Sequence, residues 1–274
     1  MRGDAFGISP LAERARLRER QNSAAGESSP RLRRPMGNLE GKAILITGAS
    51  RGIGLAIARA LDKEGAKLIL AGRNRDALAR ARLDLPGMVL SVPADVTKPA
   101  DVKQLIAAIK KQVHRLDVLI NNAGVFTFKP FAKTTLEDWR RNLETNLTSI
   151  FLTTQAALPL LKRSRGDVVN ILSISSRVAF PNCSAYTAAK FGAWGLTGVL
   201  RRELRADGIR VMGILPGMTE TRMKDELDFP VRSGDLLQPE DVAAAVLSAL
   251  LQPRRATVEE ILLMPSGGAL GRES

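Results

Sequence analysis

The chain has 274 residues, with 41 Lys and Arg against 28 Asp and Glu, a formal charge of +13, 45% apolar residues and 4% aromatic ones. That length suits one large α/β domain or two small ones. The longest uncharged apolar run, VAAAVLSALL at 242–251, is too short to span a bilayer, so a membrane protein is not expected.

The single cysteine, Cys183, cannot form an internal disulfide, which fits a reducing cytoplasm. The single histidine, His114, lies in a charged helical stretch. No Cys/His cluster has metal-ligand spacing, so no metal is expected. A Ser-His-Asp triad would need His114, and no nucleophile elbow supports one. The positive charge raises the question of nucleic acid. Residues 1–38 hold eight arginines against four acids, about +4, and the other +9 is spread over the rest. No basic stripe is interleaved with stacking aromatics, so specific nucleic-acid binding is not expected.

Residues 1–38 are rich in Ser, Pro, Gly and Arg and read as a disordered basic tail. The segment lacks the apolar centre of a secretory signal. A transit peptide, or a start nearer Met36, are the alternatives. From Lys42 onward strands and helices alternate. AILITG (43–48) predicts a strand and GIGLAIARALDKEG (52–65) a helix ending at glycine. KLILAG (67–72) is a second strand and RDALARARLDL (75–85) a second helix. A third strand over 88–96 is followed by a helix over 99–116 and a fourth strand over 117–124. One long helix is expected over 136–164. A fifth strand (166–175), a helix (184–208), a sixth strand (209–217), a helix (239–253) and a last strand (258–265) complete the series. Apolar strands separated by helices predict a single α/β domain over 39–274: a doubly wound, parallel, seven-stranded Rossmann sheet covered on both faces.

The first strand runs into TGASRGIG (47–54) and then a helix. Gly48 allows a tight turn, and Gly52 and Gly54 admit close backbone approach to a pyrophosphate. With Ser50, Arg51 and Ile53 they form a phosphate loop at a helix N-terminus, where unpaired N–H groups accept negative charge. The spacing is G-x3-G-x-G rather than G-x-G-x-x-G. An acid after the second strand would grip a ribose 2′-hydroxyl. This chain has LAGRNRD there, with Arg73 after Gly72, and Arg51 adds a second guanidinium. Two such forks suit a 2′-phosphate, so NADP (NADPH) is expected over NAD.

Tyr186, the only tyrosine, stands four residues before Lys190 in SAYTAAK. On a helix the pair shares a face. A free phenol, with pKa about 10, is a poor base at neutral pH. A nearby ammonium, together with a cationic nicotinamide ring, would favour the phenolate and lower that value. Ser173, thirteen residues earlier at a strand end, has a hydroxyl able to hold a substrate oxygen. LSISS also offers Ser175 and Ser176, and the spacing favours Ser173.

With these residues in place, the chain resembles the short-chain dehydrogenases/reductases over about 39–267. The motifs occur in order: TGASRGIG (47–54), ADV (94–96), NNAG (121–124), Asn146 in ETNLTS, Ser173, Tyr186–Lys190, and PGMTET (216–221). The resemblance implies Tyr186 as acid/base, with Lys190 on the nicotinamide ribose. Ser173 would orient the carbonyl and Asn146 would keep a proton-relay water. Asp95 and Val96 would lie by the adenine, and Asn122, Ala123 and Gly124 by its ribose. Pro216, Gly217, Thr219 and Thr221 would line the nicotinamide and phosphates. It also implies a homotetramer or homodimer built from the helix after Tyr186, which carries Gly192, Gly195 and Gly198, and the helix with Asn146. Packing of those glycines onto the sheet is the internal alternative.

Specificity is expected in 222–238, a short polar segment with Arg222, Lys224 and Arg232. The ending EEILLMPSGG differs from that of 3-oxoacyl-carrier-protein reductases and is more similar to that of 3-hydroxy-acid dehydrogenases. The substrate is thus a small carbonyl or alcohol, free or carrier-bound. The readings are reduction of a 3-oxoacyl thioester or small ketone, or oxidation of a 3-hydroxy acid. A non-catalytic NADP-sensing regulator is the reading from another class, against which both Tyr186 and Lys190 are present.

Overall fold

A computed structural model describes residues 38–227 and 236–267. The basic tail, Arg232 and most of the chain's last residues therefore lie outside the described residues, as does the side chain of Lys224.

Seven strands form one sheet in the order β3-β2-β1-β4-β5-β6-β7, and every pairing is parallel. They are β1 (Ala43–Thr47), β2 (Lys67–Gly72), β3 (Val89–Pro93), β4 (Val118–Asn121), β5 (Asp167–Ile171), β6 (Arg210–Pro216) and β7 (Glu260–Leu263). The helices are α1 (Gly52–Lys63), α2 (Arg75–Leu83), α3 (Pro99–Gln112), α4 (Leu136–Leu143), α5 (Ser149–Ser164), α6 (Ser184–Glu203) and α7 (Pro239–Leu250). Among the described residues no helix is long and apolar enough to cross a membrane.

Alternation along the strands feeds two cores. Ile44, Ile46, Leu68 and Leu70 meet Ile57, Leu61, Leu78, Val242 and Val246 of α1, α2 and α7. Leu45, Ile69, Leu119 and Val168 meet Leu105, Ile109, Leu160 and Leu161 of α3 and α5. Because both faces are covered, the strands read as unbroken apolar runs. The order reverses between β1 and β4, which opens a crevice beyond their carboxyl ends.

Strands end earlier than the apolar runs predict, because flanking polar atoms divert the chain. β4 stops at Asn121, not 124, where the Asn122 side chain turns back to β1. β5 stops at Ile171, not 175: the Ser173 hydroxyl accepts from the Ser175 N–H and closes a 3₁₀ turn, Ile174–Ser176. The expected helix over 136–164 is α4 and α5 joined by a π turn, Glu144–Thr148. Asn142 and Asn146 there spend their side chains on the loop after β4.

Candidate functional site

The residues expected to bind and react gather at the carboxyl ends of β1, β4, β5 and β6. The glycine loop comes first. Thr47, the last residue of β1, accepts through Oγ1 from the N–H groups of Asn122 and Ala123, each at 3.0 Å. Asn122 Nδ2 donates to the Thr47 and Gly48 carbonyls at 2.9 and 3.2 Å. These bonds fasten the NNAG segment to the loop. Gly48 has φ +63°, and a Cβ there would come within 2.9 Å of Ala123 Cα. A Cβ on Gly54 would come within 2.5 Å of the Gly48 carbonyl oxygen. Both glycines are thus required by close backbone approach.

Helix α1 begins at Gly52 with Arg51 as its cap in extended backbone. No cap side chain bonds the first-turn N–H groups, and the first turn holds no acid. That cradle fits the pyrophosphate of a dinucleotide, both by its bare backbone and by its charge preference. Thr221 folds over it, its methyl 3.5 Å from where a Gly52 Cβ would stand. Arg51 and Arg73 are exposed, and among the described residues neither is held in an ion pair.

Farther along, Asp95 accepts through Oδ1 from the N–H and hydroxyl of Thr97 at 3.1 and 2.8 Å. Its carboxylate therefore shapes its own turn, while Val96 is buried beside it. Pro216 ends β6. Gly217 donates to the Leu263 carbonyl at 2.7 Å, and the Thr219 hydroxyl returns to the Gly217 carbonyl at 3.1 Å. Gly124 approaches Asn146, whose Oδ1 would lie 3.0 Å from an added Cβ.

Ser173, Tyr186 and Lys190 are all buried, and the structure brings them together. Of the serines in LSISS, Ser173 is the one that acts on the phenol, lowering its pKa. Lys190 Nζ donates to the Ile171 carbonyl at 3.0 Å and lies 5.6 Å from the Tyr186 ring centre. Burial pushes the phenol up to about 12, against the downward pull of the Ser173 bond. Burial likewise pulls the ammonium down to about 8. Desolvation is the largest influence on the phenol. The expected lowering rests on the ammonium and a cationic nicotinamide ring together.

Asn146 is committed to the backbone of the loop after NNAG. Its Oδ1 accepts from Val125 N at 3.2 Å, and its Nδ2 donates to the Val125 and Asn142 carbonyls at 2.9 and 3.1 Å. That loop carries Phe126, which meets Tyr186 edge to face with centres 4.9 Å apart. Thr47, Phe126 and the Ile171 carbonyl were not among the expected site residues. Thr47 stood in the quoted motif. Phe126 gave no signal beyond an aromatic near NNAG, and a carbonyl gives none. Of the glycines on α6, Gly192 packs internally, since a Cβ there would meet Leu147 at 2.8 Å. Gly195 and Gly198 face open space within this chain.

The sequence profile described as short chain dehydrogenase matches residues 42–230. An uncharacterized oxidoreductase of Staphylococcus haemolyticus (strain JCSC1435) is 35% identical, over 84% of this chain and 100% of its own length. Another, from Staphylococcus aureus (strain MRSA252), is 37% identical over 83% and 98%. Among solved structures, an alcohol dehydrogenase from the archaeon Thermococcus sibiricus complexed with 5-hydroxy-NADP superimposes with a TM-score of 0.78 at 30% identity. That match covers 83% of this chain and 97% of the other. A metagenomic short-chain oxidoreductase in complex with NADP gives 0.73 at 29% identity, over 83% and 98%.

Proposed function

Because this chain belongs to the short-chain dehydrogenases, we propose that it is an NADP(H)-dependent oxidoreductase that interconverts a small carbonyl and its alcohol, with Tyr186 as general acid/base. The observation that carries this reading is the buried Ser173–Tyr186–Lys190 group beside a glycine cradle that only bare backbone fits. A nicotinamide dinucleotide, when bound, supplies or accepts the hydride. In reduction, Ser173 holds the substrate oxygen by its hydroxyl and Tyr186 gives that oxygen the phenolic proton. Lys190 has donors left beyond the one spent on Ile171, for ribose hydroxyls. Positive charge brought beside the buried phenol then lowers its pKa toward the working range. Asn146 fixes the loop at Val125, and the remaining acceptor capacity of its Oδ1 would hold a water that returns the proton behind Lys190.

Free Arg51 and Arg73 favour a 2′-phosphate, and both solved relatives above hold an NADP-type ligand. The open side of α6, with Gly195, Gly198 and the exposed Phe191, Trp194 and Val199, favours a homo-oligomer. We place the enzyme in the cytoplasm, with residues 39–274 as its catalytic domain. Oxidation of a 3-hydroxy acid or other alcohol is the same site run in reverse. The test scores a panel of ketones, aldehydes, 3-oxo esters and alcohols by change in NADPH, with parallel NADPH and NADH titrations. No turnover across the panel, with NADPH bound, would make it a sensor instead. Tighter binding of NADH would refute the cofactor assignment.

A further inference from the structure

The loop that follows NNAG is held with unusual thoroughness for a surface connection. Asn146 clasps both backbone polar groups of Val125. Arg141 donates to the Phe126 carbonyl at 3.2 Å and to Thr127 Oγ1 at 3.3 Å. Asn142 donates to the same hydroxyl at 2.8 Å. Lys129 N–H donates to the Asn182 carbonyl at 2.7 Å, which ties the loop to the segment entering α6. The side chain presented by all this fastening is Phe126. Its ring stands perpendicular to that of Tyr186, at 89°, and tilts against Phe128 at 6.3 Å.

Beside the Lys190 ammonium, two further groups near the site are uncharged. Cys183 is buried close to Tyr186, and burial pushes its thiol up to about 11, so it is neutral at physiological pH. The Met223 methyl lies 3.6 Å from where a Gly124 Cβ would stand. Three of the described cations are already committed. Lys129 pairs with Asp138 at 2.7 Å. That contact, with the Thr135 bonds, holds the Asp138 carboxyl down at about 2, so the partner stays charged. Arg141 serves the loop itself, and Arg177 pairs with Glu260. A substrate carboxylate brought here would lose water and find none of these cations free.

We propose that Phe126 is a specificity-determining residue, and that the site takes a neutral ketone bearing an aryl or alkyl group in preference to an oxo or hydroxy acid. This deepens the proposed function and rests on its placing the substrate at Tyr186. A rigid backbone makes Phe126 a fixed apolar wall rather than one that adapts, and a fixed wall selects by shape and by charge.

Acetophenone and benzoylformate form a matched pair, an aryl ketone whose methyl is replaced by a carboxylate. Their binding to the full chain with saturating NADP+ is measured by calorimetry, where no reduction can occur. Wild type should bind acetophenone at least about ten-fold more tightly than benzoylformate. Phe126→Ala should weaken acetophenone by about ten-fold, narrow its preference over benzoylformate and leave NADPH unchanged. Phe126→Leu, which keeps an apolar side chain, should retain most of the acetophenone affinity and serves if the alanine variant unfolds. Equal binding of the two probes by wild type, or an unchanged acetophenone affinity in folded Phe126→Ala, overturns the proposal. The turnover arm is separate. Selective acetophenone binding without NADPH-dependent reduction of any panel carbonyl sinks the proposed function and leaves the assignment of Phe126 standing. Reduction of oxo acids with no such selectivity does the reverse.

Discussion

Buried polar groups stand at the start of strand β5 and just past its end, and the two are used in opposite ways. At its start, the Asp167 carboxylate takes a fork from Arg210, at 2.8 and 2.7 Å, and a further bond from Arg254. Arg210 spends its other donors on the Gln252, Ala256 and Leu250 carbonyls. All five guanidinium N–H groups are therefore used. Next door, at the start of β4, Asp117 accepts from the Ala43 N–H and pairs with Lys42 and Arg115. Just past the other end of β5, Ser173, Tyr186 and Lys190 are as deeply buried but keep valence to spare. The lysine has filled one bond of three, and both titrating groups are displaced by desolvation. The lesson is that burial alone does not mark a site. A saturated network anchors the sheet, while an unsaturated one leaves donors over at a cost in stability, as the proposed ligand site would require.

Substitutions at the two ends should separate the two kinds of loss. Tyr186→Phe should lower kcat by about 10³-fold, as expected on losing a general acid, and leave the melting temperature within a few degrees. Steady-state rates and melts on one preparation check this, and an active variant would break the contrast. Arg210→Met at the opposite end leaves a buried carboxylate short of its fork. It should lower the melting temperature by about 10 °C while the folded fraction keeps its kcat.

The third difference is a pH effect. Folded Lys190 titrates at about 8, below its ordinary 10.5. Between those values the unfolded chain binds the extra proton, so stability rises with pH. The burial penalty is present in full below pH 8 and is relieved toward 10.5. Lys190→Met removes this dependence. Urea melts at pH 7.5, 8.5 and 9.5 should show wild type gaining on the variant, by about 2 kcal/mol at most. Above pH 10 the raised phenol pKa opposes the gain, because there the folded state binds more protons. The smallest effect belongs to an exposed residue. Arg73→Ser should weaken NADPH about ten-fold and leave NADH unchanged in fluorescence titrations, since only the 2′-phosphate interaction is lost.

Much of the architecture was legible because its signals are local. Near-continuous apolar runs such as AILIT and KLILAG, set between helical periods, are enough for a parallel sheet covered on both faces. Gly48 and Gly54 were legible as a cradle because a missing side chain can be read directly. The π turn at Glu144–Thr148 was not, since ETNLT carries no helix breaker. The early ends of β4 and β5 were hidden because Asn122 and Ser173 act through bonds to turns, not through polarity.

The order of residues alone settled the fold class, the seven strands in order and the pairing of Tyr186 with Lys190, because periodicity and i, i+4 spacing are properties of adjacent chain. Folding alone settled that Ser173, Tyr186 and Lys190 share one buried group, that desolvation dominates the phenol, and that Phe126 stands against the Tyr186 ring. Each of these depends on groups distant in sequence sharing one dry volume, where the cost of charge and the shape of the wall come into being together.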